Sequence, residues 1–300
     1  MVRYLLQPFK ELPVNTRATL GICLILSPLS MAQTMVGVFG TGSGSTLNQQ
    51  FLHQRQADAA NAVQPQGGVI RPKIVVFPGD RVIAQFVDGG GWKTSVFFVN
   101  LESHPVNFQV LFFNDDGTDM FVPIAGLGLV RQVQITLDTA GSTEFETTGF
   151  ANSLSQGWAL LSQTTTDTVG GMAIFRQHVF GRPDQEAVVP IVSQFDSHFV
   201  LLFDNTAYTT GIAIANPTLN FVDIPVNIRN QAGVIIDQRT ISLGPYDHTA
   251  FSVPDTWFST DGIRGAIEFQ TSGFGVAALG LRFSGSAFTS FNVLENLNWR

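Results

Sequence analysis

The chain has 300 residues, of which 44% are hydrophobic and 13% are charged, and its net charge at pH 7 is -7. This length allows about two domains. The apolar fraction is high enough to fill both cores, which excludes a globally disordered chain. An acidic chain without a basic patch is repelled by nucleic acid and by anionic membrane surfaces. The composition therefore excludes a nucleic-acid-binding protein.

The first 32 residues have the pattern of a secretory signal peptide. A basic segment ending at Arg17 is followed by an apolar stretch at 18–29 and by a small-x-small cleavage site at 30–32, which is the usual order of such signals. The apolar stretch is shorter than the roughly 20 residues that span a bilayer. We expect cleavage and export, and the alternatives are an uncleaved anchor or a buried N-terminal helix.

The only cysteine, Cys23, lies inside this signal. The exported chain would then have no disulfide, no cysteine metal site and no cysteine nucleophile. It also has no Asn-x-Ser/Thr sequon and no later hydrophobic run long enough to anchor it in a membrane. These features are typical of a bacterial protein that is periplasmic, displayed on the cell surface or extracellular.

Residues 33–70 are rich in Gly, Ser, Gln and Ala. A segment of this composition does not form a packed core and instead behaves as a flexible linker. We therefore predict a low-complexity tether between the signal peptide and the folded part of the chain.

An internal repeat organises the rest of the chain. Residues 92–117 align with residues 208–233 without a gap, and hydrophobic character matches at most alternating positions. The identical pairs are Thr94/Thr210, Asn100/Asn216, Val106/Val222, Val110/Val226, Asn114/Asn230 and Gly117/Gly233. Such a repeat predicts two copies of one structural unit. We place the first module at 71–192 and the second at 195–295.

Both modules have the pattern of half-buried strands. Residues 222–229 alternate Val or Ile with polar residues, which predicts a strand with one face on a core. Pro225 on the polar face cannot donate a ladder hydrogen bond, so we predict an edge strand there. Turn residues predict hairpins at Asp116-Gly117 and Ala232-Gly233. Further strands are predicted at 82–87, 130–137, 157–163, 169–179, 198–203, 234–242, 247–253, 263–270, 274–283 and 288–294, with one helical turn at 254–258.

This density of short strands and turns is typical of an immunoglobulin-like sandwich. The predicted fold is all-β, with two tandem immunoglobulin-like β-sandwich domains after the signal peptide and the tether. The chain resembles uncharacterised exported bacterial proteins built from such tandem modules. The positions that carry the resemblance span 80–294 and are Gly89–Thr94, Asn100, Asn216, Phe175-Arg176 and Leu281–Phe283. The resemblance implies the fold and no particular activity.

The most acidic cluster contains Asp115, Asp116 and Asp119 around a turn glycine. Three carboxylates in a loop can bind a hard cation such as calcium. The alternative is a solvated hairpin turn, because an Asp-Gly pair favours such turns. The second copy has no carboxylate at 230–233, which favours the turn.

Two pairs of side chains recur in both modules and are candidate binding residues. Arg176 and Arg282 lie in strongly apolar strands, where each could bind an anion; a structural ion pair or an exposed strand position is the favoured alternative. Trp92 and Tyr208 each precede a strand and could stack on a sugar or a partner. The alternative is that these rings cover the open ends of the sandwiches.

The sequence does not have the pattern of an enzyme. None of the five histidines forms a pair with zinc-ligand spacing, and no Gly-x-Ser-x-Gly motif is present. We expect a non-enzymatic binding or structural module pair at the cell envelope or outside the cell, with no cofactor other than possible calcium. Its partner would be an envelope or extracellular protein or a polysaccharide. The alternative is an accessory or catalytic component of a polysaccharide-degrading system.

Overall fold

A computed structural model of the protein describes residues 80–163, 167–192, 198–271, 275–285 and 287–295. Within these ranges the chain is all-β and built from antiparallel sheets, as predicted. The predicted signal peptide, the tether and the first residues of the first module lie outside the described residues. No helix in the described ranges has the length and apolar character that a membrane crossing requires.

The first half of the described chain contains ten strands. They are β1 (Arg81–Asp88), β2 (Trp92–Asn100), β3 (Val106–Asn114), β4 (Val122–Ile124), β5 (Gly128–Val130), β6 (Gln132–Leu137), β7 (Ser142–Glu146), β8 (Ser155–Ser162), β9 (Val169–Gln177) and β10 (Gln185–Pro190).

The second half of the described chain contains nine strands and one helical turn. They are β11 (His198–Asp204), β12 (Thr209–Ala215), β13 (Val222–Asn230), β14 (Ile235–Leu243), β15 (His248–Ser252), the short helix α1 (Val253–Thr256), β16 (Arg264–Gln270), β17 (Ala277–Ser284), β18 (Ala287–Phe291) and β19 (Leu294–Glu295). A single 3-10 turn follows α1 at Phe258–Thr260.

The two halves have the same strand order. The main sheets of the first half are β1-β8-β3-β6 and β10-β9-β2-β7, and those of the second half are β11-β16-β13-β14 and β18-β17-β12-β15, with β19 added beside β11. An immunoglobulin constant domain has its first two strands in one sheet. In both halves here the first two strands lie in different sheets, so the strand order is a distinct one.

The predicted alternation of buried and exposed residues is present in the central strands. Every second residue of β13 from Val222 to Ile228 is buried, as is every second residue of β3 from Val106 to Phe112. The predicted strands correspond to observed strands within a few residues. The prediction missed β4, β5, β7 and β10, which are either three residues long or bury few apolar side chains.

The prediction that Pro225 marks an edge strand is wrong. β13 lies between β14 and β16. Pro225 is opposite Thr240 on β14, whereas the pairing with β16 begins one residue later, at Val226. A central strand tolerates this proline because it lies just beyond the ladder with β16.

The turn after β3 and the turn after β13 have the same hydrogen bonds. The amide of Asn114 donates to Thr118 O at 2.8 Å, and the amide of Asn230 donates to Val234 O at 3.0 Å. Gly117 and Gly233 have φ values of 71° and 82°, which a side chain would disfavour. Only the second turn closes the predicted hairpin directly, because the short β4–β5 hairpin is inserted before β6 in the first half.

The two halves pack tightly against each other. One buried apolar cluster includes residues of both halves, among them Ala213, Ala250, Leu279 and Leu281 from the second half. β1 of the first half lies against β12 and β17 of the second, and β10 lies beside β18. The halves are therefore docked through a continuous apolar interface, and the sequence alone left this point open.

Candidate functional site

An open cleft of about 900 Å³ lies in the second half of the protein. It is formed by β11, β16, β19 and the end of β13 with the turn that follows it, and by residues of β12, β17 and β18 in the facing sheet. Side chains of mixed character line it, including Leu202, Thr210, Asn230, Arg264, Arg282 and Phe291. Clefts of this size and mixed lining are the usual places where proteins bind ligands.

Arg282 is the predicted binding residue that the structure places in this cleft. Its guanidinium carbon lies 3.4 Å from the centroid of the Tyr208 ring, which is a cation–π contact. Tyr208 itself is half-buried. The structure thus brings two of the four predicted binding residues together, in the same half of the protein.

Arg176 and Arg282 are not structurally equivalent. Thr94 pairs with Phe175 on β9, whereas its repeat partner Thr210 pairs with Arg282 on β17. Arg282 therefore occupies the position of the buried Phe175, one residue out of step with Arg176. A shift of one residue moves a strand side chain to the opposite face of the sheet, which is why only Arg282 lines the cleft.

Arg176 forms a surface ion-pair network, as the favoured alternative predicted. Its Nε donates to Glu186 Oε1 at 2.7 Å, and Glu146 lies 3.8 Å away while also pairing with Lys93. The hydrogen bond to Glu186 raises the pKa of Arg176 further above its usual range. Exposed ion pairs of this kind contribute up to about 1 kcal/mol to stability. The guanidinium of Arg176 therefore already has acidic partners within the protein.

The ring of Trp92 is not available to a ligand. Trp92 is 1% exposed and packs edge-on against Phe288 of the second half, with ring centroids 5.0 Å apart. The prediction that Trp92 stacks on a sugar or a partner is corrected by this burial. Its apolar surface is used where the two halves meet, in keeping with the alternative that the ring covers a core.

The three carboxylates of the predicted calcium loop have separate partners. Asp115 Oδ1 bonds His248 Nδ1 at 2.8 Å across the two halves, and Asp116 Oδ1 accepts from the amide of Thr118. Asp119 lies 3.3 Å from Arg131. In the part of the chain that the structure describes, no three acidic, histidine or cysteine side chains are grouped as a metal site. The loop therefore forms a structured turn and part of the interface between the two halves.

A buried polar cluster borders the cleft, and the sequence analysis did not identify it. Glu268 is 4% exposed and accepts hydrogen bonds from His198, Asn227 and Arg229. Burial raises the pKa of this carboxyl, but these donors outweigh it and lower the pKa below the usual 4.5. The residues are far apart in sequence, so only the pairing of β11 and β13 with β16 brings them together.

Acid should lower the stability of the protein partly by protonating Glu268 in this cluster. A folded-state pKa below the unfolded value gives stability that is complete above about pH 4.5 and is lost as the pH falls through the folded pKa. We expect Glu268→Gln to lose less stability than the original protein on acidification below about pH 4.5. Denaturant unfolding followed between pH 3 and pH 7 measures this, with the exposed Glu144→Gln as control. Equal losses in the original protein and in Glu268→Gln would contradict the prediction.

The described residues do not form a recognisable catalytic arrangement. The one histidine with a buried ring near a carboxylate is His248, and its Nε2 has no hydrogen-bond partner among the described residues. A catalytic triad needs a nucleophile at that nitrogen. His248 and Asp115 instead join the two halves, since the amide of His248 also donates to Asp115 O at 2.9 Å.

Comparison with protein-family models and with curated proteins finds no match to this chain.

Proposed function

We propose that the protein is an exported, non-enzymatic pair of β-sandwich modules, immunoglobulin-like in architecture rather than in strand order. It acts at the bacterial cell envelope or outside the cell and binds a polysaccharide or protein partner. The signal pattern at 1–32 supports export, and the composition of 33–70 supports a tether that sets the reach of the folded part.

The cleft in the second half is the observation that carries this proposal. It is about 900 Å³ in volume and combines apolar, amide, hydroxyl and guanidinium groups, as binding sites do. The tight docking of the two halves supports the proposal because it holds this surface in one fixed orientation. A rigid surface loses less conformational entropy on binding than a mobile one.

A cleft-filling variant tests the proposal. Leu202 lines the cleft and is 57% exposed, so Leu202→Trp should block it without disturbing the core. Binding is measured on a glycan array and by capture of isolated envelope proteins. We expect the original protein to bind at least one of these partners and Leu202→Trp to bind it at least tenfold more weakly.

Val188→Trp is the matched control. Val188 is an exposed apolar strand residue of β10, at 48% exposure, and it does not line the cleft. The Val188→Trp variant should bind its partner like the original protein. The proposal is wrong if no partner binds, or if Leu202→Trp and Val188→Trp behave alike.

A further inference from the structure

We propose that the cleft recognises the carboxylate of an acidic, uronate-containing polysaccharide, and that Arg282 is the residue that binds it. This inference rests on the proposed binding function and specifies the ligand class of the same cleft. It depends on the orientation of Arg282, on the charges around it and on the groups beside it.

The guanidinium of Arg282 is held in place but does not use all its donors within the protein. Its Cζ lies 3.4 Å from the centroid of the Tyr208 ring, and its buried Nε has no hydrogen-bond partner among the described residues. A guanidinium has five donors in one plane that match the two oxygens of a carboxylate. The contact with the ring restrains the guanidinium, and no described carboxylate pairs with its two terminal nitrogens, which can make such a bidentate contact.

The other two arginines of the cleft already have carboxylate partners. Arg229 Nη2 lies 3.2 Å from Glu268, and Arg264 Nε lies 2.9 Å from Asp204. Hydrogen bonds from Thr206 and Arg264 hold the pKa of Asp204 at about 2, so this carboxylate stays ionised and keeps its partner. Among the described ion pairs of the cleft, none includes Arg282, which makes it the cation available to a ligand.

The surroundings of Arg282 fit a sugar. Thr289 supplies a hydroxyl group and Asn230 an amide group, and Leu202 and Phe291 supply apolar surface. A pyranose ring likewise has polar hydroxyl groups and an apolar face. The whole chain carries a net charge of -7, so a polyanion gains no long-range attraction to this protein. Binding of a carboxylate therefore depends on the local contact with Arg282.

The test compares saccharides that differ in charge. Oligogalacturonate, its methyl ester, dextran and dextran sulfate are titrated into the full chain by calorimetry at low and physiological salt. We expect oligogalacturonate to bind roughly tenfold to a hundredfold more tightly than its methyl ester, as a charge-assisted hydrogen bond implies. Equal affinity for the acid and the ester, or a preference for dextran sulfate, would overturn the carboxylate assignment.

Substitutions then assign the preference to Arg282. Arg282→Gln should lose it, and Arg282→Lys should keep only part of it because lysine is not planar. Arg176→Gln removes the same charge outside the cleft and should retain the preference for the acid over the ester. If Leu202→Trp abolishes binding while Arg282→Gln keeps the preference for the acid, the binding function stands and this inference is wrong. If none of the saccharides binds, the inference is also wrong, and capture of an envelope protein decides the broader proposal separately.

Discussion

Replacing Trp158 by alanine is expected to lower the free energy of unfolding by about 3–5 kcal/mol, as removal of a fully buried tryptophan does. Trp158 lies on β8 of the first half and is 0% exposed. Its ring stacks on Phe113 at 4.6 Å, and Phe113 stacks in turn on Tyr246 of the second half at 5.3 Å. The indole Nε1 also donates to Tyr246 O at 2.8 Å. Its removal therefore weakens both the first core and the interface between the halves.

Calorimetry distinguishes these two effects. Because the halves share one apolar cluster, we expect the original protein to unfold in a single cooperative transition. Trp158→Ala should lower the melting temperature and separate the unfolding of the two halves. Phe258→Ala is the control, since Phe258 is 82% exposed and should leave the transition unchanged. Two separate transitions in the original protein would contradict the docked arrangement.

The repeat and the alternation of strand residues could be predicted from the sequence because both are local patterns. Positions 222–228 show their buried face directly, and the pair Asn114 and Asn230 identifies equivalent turns with the same hydrogen bonds. The order of strands in the sheets could not be predicted, because pairing between distant strands depends on the whole chain. The same limit applies to Pro225, whose place in a sheet depends on where the neighbouring ladder ends.

The candidate site was predicted only in part, for the same physical reason. Arg176 and Arg282 look equivalent in sequence, yet a one-residue difference in register places one in a surface ion-pair network and the other in the cleft. Trp92 and Tyr208 align in the repeat, but Trp92 is covered by Phe288, which the docking of the two halves supplies. Sequence patterns report which face of a strand a residue occupies, whereas the neighbour on that face depends on tertiary packing.

Gly157 and Gly265 show how closely the two halves follow one plan, and alanine at either position should destabilise the protein. They pair with the equivalent residues Asn114 and Asn230. An added Cβ would lie 1.9 Å from the backbone oxygen of Phe113 at Gly157, and 1.9 Å from that of Arg229 at Gly265. Because a backbone oxygen cannot move without displacing its strand, we expect Gly157→Ala and Gly265→Ala each to lower the free energy of unfolding by about 3 kcal/mol.

Denaturant unfolding of the two variants beside Gly170→Ala tests this expectation. Gly170 lies on β9, and a Cβ there would meet the tips of the Leu101 and Val99 side chains at 3.1 Å, which can rotate away. That variant should lose less than about 1 kcal/mol. If Gly157→Ala or Gly265→Ala lowered the free energy of unfolding by as little as Gly170→Ala, the paired strands would lie farther apart than the structure places them. Similar large losses of stability at both positions would show that the two halves depend on the same close contact between strands. Neither glycine lies within the aligned repeat segments, so the sequence repeat alone does not reveal this contact.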